Sequence, residues 1–143
     1  MTEVAFHFNA PDKLAYACRL LRKAVAAGSR VMVTGQPEAL RELDVALWTF
    51  APLEFLPHCY GDVTPVTLAA SPVVLADSLH AAPHHQVLLN LGGAVPQGFE
   101  RFERLIELVS SDEDDRLVGR ERWKHYADRG YAITRHDMSA SRA

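Results

Sequence analysis

The sequence contains no G-x-G-x-x-G and no G-x-x-x-x-G-K-[ST], the glycine patterns that let backbone amides close on a phosphate. Where a nucleotide-binding α/β domain carries such a loop, after its first strand, this chain has Asn9-Ala10-Pro11-Asp12, and its second such turn holds only Gly35. Cysteine is scarce too: Cys18 and Cys59 form neither a disulfide framework nor a zinc-type spacing. No apolar stretch approaches the roughly 18 residues of a membrane span, and Met1-Thr2-Glu3 lacks the basic-then-apolar layout of a signal peptide. Nor is there an excess of positive charge. A net charge of −3 removes the overall attraction on which free-standing DNA and RNA binders rely, so a nucleic-acid role would require a local basic patch. A chain of the reducing cytoplasm, without cofactor, metal or membrane, is expected.

The groups that could carry chemistry do not assemble. His80, His84 and His85 are close in sequence, but Pro83 breaks any helix that would present His80 and His84 together. Cys59 beside His58 suggests a nucleophile and a base, yet adjacent residues of an extended segment point apart. The acids Asp112 to Asp115 lack the ligand spacing and central glycine of a calcium loop, and read instead as the start of a helix. An enzyme is not expected.

What is present fits one domain. Val4, Phe6 and Phe8 alternate on one face of a strand over 3–8, and Pro11-Asp12 opens an amphipathic helix carrying Leu14, Ala17, Cys18, Leu21 and Val25, ended by Gly28. Val31-Met32-Val33 reads as a strand buried on both faces, and Pro37 begins a second helix with Leu40, Leu43, Leu47 and Trp48 in its stripe. Pro65 and Pro72 mark Val63–Leu68 and Ser71–Leu75 as edge strands or ribbon-like connections. Gln86–Leu91 is another interior strand. Phe99, Phe102, Leu105, Ile106 and Val109 then suggest a helix, and Ser111 caps another that runs to Arg129 before Gly130. Tyr131–Thr134 makes a last strand. The expected fold is α/β, a single Rossmann-like domain over 1–137 with a mostly parallel or mixed sheet flanked by helices and no phosphate-binding loop, followed by a flexible tail over 138–143.

Two segments look like binding surfaces. In the helix from Arg116, the side chains of Arg116, Arg120, Trp123 and Lys124 fall within about a third of the circumference. Between Arg116 and Arg135 stand Arg116, Arg120, Arg122, Lys124, Arg129 and Arg135, against the acids Glu121 and Asp128, in a chain that is acidic overall. Guanidinium forks and an aromatic wall suit an acidic peptide. The plainer alternative is a solvated helix whose tryptophan packs inward. The other segment, Trp48 to Tyr60, displays Trp48, Phe50, Leu53, Phe55 and Leu56 on a backbone stiffened by Pro52 and Pro57. It either covers the open end of the sheet or meets a partner.

Two motifs bear on these alternatives. Leu43 to His58 follows L-D-x-x-L-W-x-F-x-P-x-x-F-L-P-H, and Arg120 to Tyr131 follows R-x-R-W-K-x-Y-x-x-x-G-Y. With V-x-F-x-F near the N terminus and Leu88-Leu89-Asn90-Leu91, they make the chain resemble the chi subunit of bacterial DNA polymerase III over nearly its whole length. The resemblance implies a non-catalytic adaptor that pairs with the psi subunit of the clamp loader and binds the acidic, Phe-terminated tail of single-stranded-DNA-binding protein, meeting DNA only indirectly. By position, Val109, Arg116, Arg120, Trp123 and Lys124 would form the tail-binding face, and Phe55, Leu56 and Pro57 the psi-binding patch. A repair helicase is a further candidate at the Phe55 surface. The alternative is a direct single-stranded nucleic-acid-binding module that stacks bases on Trp123 and Tyr126.

Overall fold

The computed structural model describes residues 1–49, 58–60, 72–76, 79 and 82–140. Along the chain, β1 (Glu3–Ala10) leads through α1 (Lys13–Ala26) to β2 (Val31–Thr34), and α2 (Pro37–Thr49) follows. Three short strands come next: β3 (His58–Tyr60), β4 (Val73–Leu75) and β5 (Val87–Asn90). A 3-10 turn at Phe99–Arg101 precedes β6 (Arg104–Ser110), α3 (Glu113–Asp128) and β7 (Ile133–Asp137), and a second turn follows at Met138–Ala140. Among the described residues the strands form one sheet in the order β3-β4-β2-β5-β6-β1-β7, with every pairing parallel. The expected α/β class therefore holds.

A parallel sheet must be covered on both faces. Ala17, Cys18 and Leu21 of α1 and Leu40, Leu43 and Leu47 of α2 pack on one face, against Val31, Val33, Leu89, Ile106 and Leu108. On the other, Tyr126 of α3 joins Val4, Phe6, Met32, Leu88, Phe99, Phe102, Leu105 and Val109. Burial on both sides explains why β2, β4 and β5 are buried at every position.

The structure corrects the sequence reading in the middle of the chain. Val73–Leu75 is an interior strand between β3 and β2, not an edge; Pro72 stands just before it, and its carbonyl accepts from the Val31 N–H at 2.7 Å. Val63–Leu68 lies outside the described residues. The segment expected as one helix from Phe99 to Val109 is instead the short turn and β6. Its apolar spacing imitates a helix, but Leu105-Ile106-Glu107-Leu108-Val109 is buried throughout, as an interior parallel strand requires. Asp112 rather than Ser111 holds the N-cap position of α3.

β1 and β6 are neighbours whose following helices lie on opposite faces, the place where open α/β sheets bind ligands. Here the chain's own groups fill it. Asp12 caps α1 by accepting from the Ala15 N–H at 3.1 Å, which occupies the amide that would otherwise face an anion. Asp115 accepts from the Ser110 N–H at 2.8 Å and from Lys13 Nζ at 3.0 Å, and Lys13 also donates to the Leu91 carbonyl at 3.2 Å.

Burial pushes the Asp115 carboxyl up, but donation from Ser110 and the Lys13 ammonium outweigh it and hold the group below its ordinary value of 3.8. The folded chain therefore takes up this proton less readily than the unfolded one. The stability it confers is complete above 3.8 and is lost as the pH falls through the lower folded value. In urea titrations, wild type should exceed Asp115→Asn by a constant margin near neutrality, and the margin should shrink on acidification below 3.8.

Candidate functional site

α3 is held against the sheet by a buried carboxylate. Glu107, in the middle of β6, has no exposure; its Oε1 accepts from Arg122 Nε at 2.8 Å, its Oε2 from the Tyr126 hydroxyl, and both from Asn90 Nδ2 at 3.0 and 3.2 Å. Arg122 also donates to the Gly93 carbonyl at 3.2 Å, and Asn90 to that of Ala94 at 3.0 Å. Burial drives the Glu107 carboxyl above the usual range, while Arg122, Tyr126 and Asn90 pull it back. With hydroxyl, amide and guanidinium donors all turned to it, the group acts as an acceptor only. The Tyr126 phenol is pushed far up by burial and by the facing carboxylate, and it keeps its proton.

This anchor fixes which side of α3 faces outward. Gly119, Arg122 and Tyr126 form the buried stripe. A Cβ on Gly119 would stand 3.0 Å from Cγ2 of Val109, so glycine there lets the helix lie close on β6. One edge of the helix then overhangs β1 and β7 and leaves a hollow of about 370 Å³. It is lined by Phe6, Phe8 and Asn9 of β1, Val109 of β6, Arg116, Gly119, Arg120 and Trp123 of α3, and Arg135 of β7. Trp123 leans on Phe6 with ring centres 5.2 Å apart. Arg116 is exposed, its Nη1 3.5 Å from Glu113 Oε2, and Arg120 is exposed beside it. At the lip, the sheet register shifts between His7 and Ala10, and Asn9 takes a φ of 61°, a left-handed conformation that asparagine tolerates. Its side-chain amide donates to Asp137 Oδ1 at 3.2 Å.

A family profile described as "DNA polymerase III chi subunit, HolC" matches residues 1–134. The chain belongs to this family. It is 32% identical to a Pseudomonas aeruginosa protein named DNA polymerase III subunit chi, with 96% of this chain and 98% of that one covered. A Haemophilus influenzae protein of the same name is 27% identical over 82% of each. The chain therefore has its place in bacterial DNA replication, among the subunits of DNA polymerase III.

Of the residues singled out from the sequence, Val109, Arg116, Arg120 and Trp123 meet in the hollow. Lys124 does not line it; about 80° round the helix from Arg116, it is exposed on the outer side of α3. Arg122, counted with the surface cations in the sequence, is 2% exposed and committed to Glu107. The fully buried Tyr126 ring is closed to base stacking, which deprives the nucleic-acid alternative of its second platform. Phe55, Leu56 and Pro57 lie outside the described residues. Next to them along the chain, α2 exposes Val45 and Trp48 at 61% and 57%, while His58 Nε2 lies 2.9 Å from Asp44 Oδ1. Phe6, Phe8, Asn9 and Gly119 were not foreseen as part of the site, and Arg135 was counted among the cations of this stretch but not placed on the tail-binding face. The alternation of Val4, Phe6 and Phe8 was visible, but only the sheet order shows that two of them floor a hollow.

Among the described residues no helix is long and apolar enough to cross a membrane, and no group of three or more potential metal ligands occurs.

Arg122→Met should cost about 3–5 kcal/mol in denaturant titrations, because it strands a buried carboxylate. Adding Glu107→Gln should recover part of that loss, since it removes the buried charge and keeps an acceptor for the Tyr126 hydroxyl and the Asn90 amide.

Proposed function

We propose that the chain is a non-catalytic cytoplasmic adaptor of the DNA polymerase III holoenzyme. It joins the clamp loader, through the psi subunit, to the acidic C-terminal tail of single-stranded-DNA-binding protein. One observation carries the tail-binding half: two guanidinium groups of α3, Arg116 and Arg120, and the ring of Trp123 border one hollow whose floor is apolar. An aromatic side chain seated on Trp123 and Val109 leaves its chain-end carboxylate beside Arg120, where a planar guanidinium can donate two parallel hydrogen bonds to it. Lys124, at the outer margin, adds charge without shaping the hollow. DNA is met only through the protein that coats it.

A contact of this size, with most of its charge at the rim, is weak: a Kd of micromolar order, about −8 kcal/mol. It weakens further as salt screens the rim. Weakness suits the role. A strand coated with many copies of the tail holds the adaptor by avidity while each single contact opens and closes.

Titrating the protein with a fluorescent acidic peptide that ends in Pro-Phe with a free carboxylate tests this directly. Arg120→Ala and Trp123→Ala should each weaken binding about tenfold or more, as expected for a charge-assisted clamp and a central aromatic contact. Undiminished binding in both variants rules the hollow out. For the psi half, Phe55→Ala should cost about 1–3 kcal/mol of affinity for purified psi, with tail binding intact. Full retention of psi by this variant removes Phe55 from the interface.

A further inference from the structure

The hollow has two kinds of charged wall. On α3, Arg116 and Arg120 stand among acids of their own helix: Glu113 is 3.5 Å from Arg116, and Asp112, Asp114 and Glu121 are exposed nearby in the chain. On β7 the wall is Arg135. Its guanidinium carbon lies 5.4 Å from the centre of the Phe8 ring and 5.5 Å from that of Trp123, so two π faces hold the cation in place. It makes no ion pair with any described residue, though after the Ser139 and Asn9 hydrogen bonds its charge helps hold the Asp137 carboxyl, two positions on, below the ordinary value. A guanidinium stacked on rings still presents its N–H edge in its own plane, free to donate to carboxylates. β7 is the outermost strand, paired with β1 alone, and Thr134 to Asp137 are exposed. The acid of this strand, Asp137, is already engaged: its Oδ1 accepts from Asn9, from the Ser139 N–H at 3.0 Å and from the Ser139 hydroxyl at 2.6 Å.

We propose that an acidic polypeptide bound by its aromatic end in the hollow leaves across β7, with Arg135 pairing with the carboxylates just upstream of that end. This rests on tail capture by the hollow and adds to it a direction and a specificity residue. A path along α3 towards its N terminus runs into Asp112, Glu113 and Asp114, where like charges repel an acidic chain. A path towards the C terminus of α3 meets Lys124 between the exposed acids Glu121 and Asp128, and reaches Arg129 only beyond them. Over β7 the ligand meets a pre-stacked cation at an open strand edge.

Two peptides of equal length separate this direction from tail capture itself. Both end in Pro-Phe with a free carboxylate; one carries aspartates upstream, the other asparagines. With the full-length protein, Arg135→Gln should weaken the aspartate peptide about three- to fivefold more than the asparagine peptide, the scale of an exposed charge pair. Arg135→Lys should restore part of the preference, which shows that the loss is of charge and not of folding. Arg120→Ala should weaken both peptides. If Arg120→Ala weakens both while Arg135→Gln weakens neither, or weakens both equally, the exit across β7 is overturned and the hollow stands. If Arg120→Ala changes neither, the hollow is not where the tail binds, and both proposals fall.

Discussion

A carboxylate with no solvent exposure, set in an interior strand, governs the geometry of this protein. Glu107 draws Arg122 and Tyr126 inward from one helix and Asn90 from the neighbouring strand, and through Arg122 and Asn90 it also fastens the turn at Gly93 and Ala94. Ionic groups at such depth add little net stability over well-packed hydrocarbon. They do impose a unique arrangement. A helix whose buried stripe is Gly119, Arg122 and Tyr126 has little apolar surface with which to find its orientation, and the hydrogen bonds to Glu107 define it instead.

The hollow beside α3 follows from that orientation. With Gly119 close to Val109, α3 sits deep on β6, and the hollow remains between its Arg116–Trp123 edge and the β1 and β7 strands. The strong interactions thus lie under the helix and the weak ones beside it. Such a division suits a contact that must form and release repeatedly on a rigid platform. The other ligand position that this architecture offers, outside the ends of β1 and β6, is closed by Lys13, Asp12 and Asp115. The fold keeps the layout of nucleotide-binding domains, while the hollow proposed for tail binding lies on the flank of one helix.

Much of this was legible in the residues. The alternation in β1, the capped amphipathic α1 and the apolar run of β2 each obey a local rule, and the fold agrees. Two kinds of information were not local. The segment 104–110 has apolar residues at spacings that satisfy a helix, and only burial on both faces, a property of its neighbours in space, makes it a strand. Arg122 is indistinguishable in the sequence from Arg120 two residues earlier, yet one is locked to Glu107 and the other faces the hollow. Its signal would have been the lone acid among the apolar residues of β6, which demands a buried donor. The hollow's floor was hidden for the same reason: Phe6 and Phe8 are separated from Trp123 by more than a hundred positions.

The place of β1 in the sheet has a consequence for how the molecule is made. The first strand of the chain lies between β6 and β7, the last two, and has no strand partner until β6 exists and no second one until β7 does. During synthesis it emerges with Phe6 and Phe8 exposed and stays so until nearly the whole polypeptide has left the ribosome, an order of events that slows folding and prolongs the exposure of apolar surface. A product that stops short of β7 lacks one wall of the hollow and leaves a long edge of β1 open.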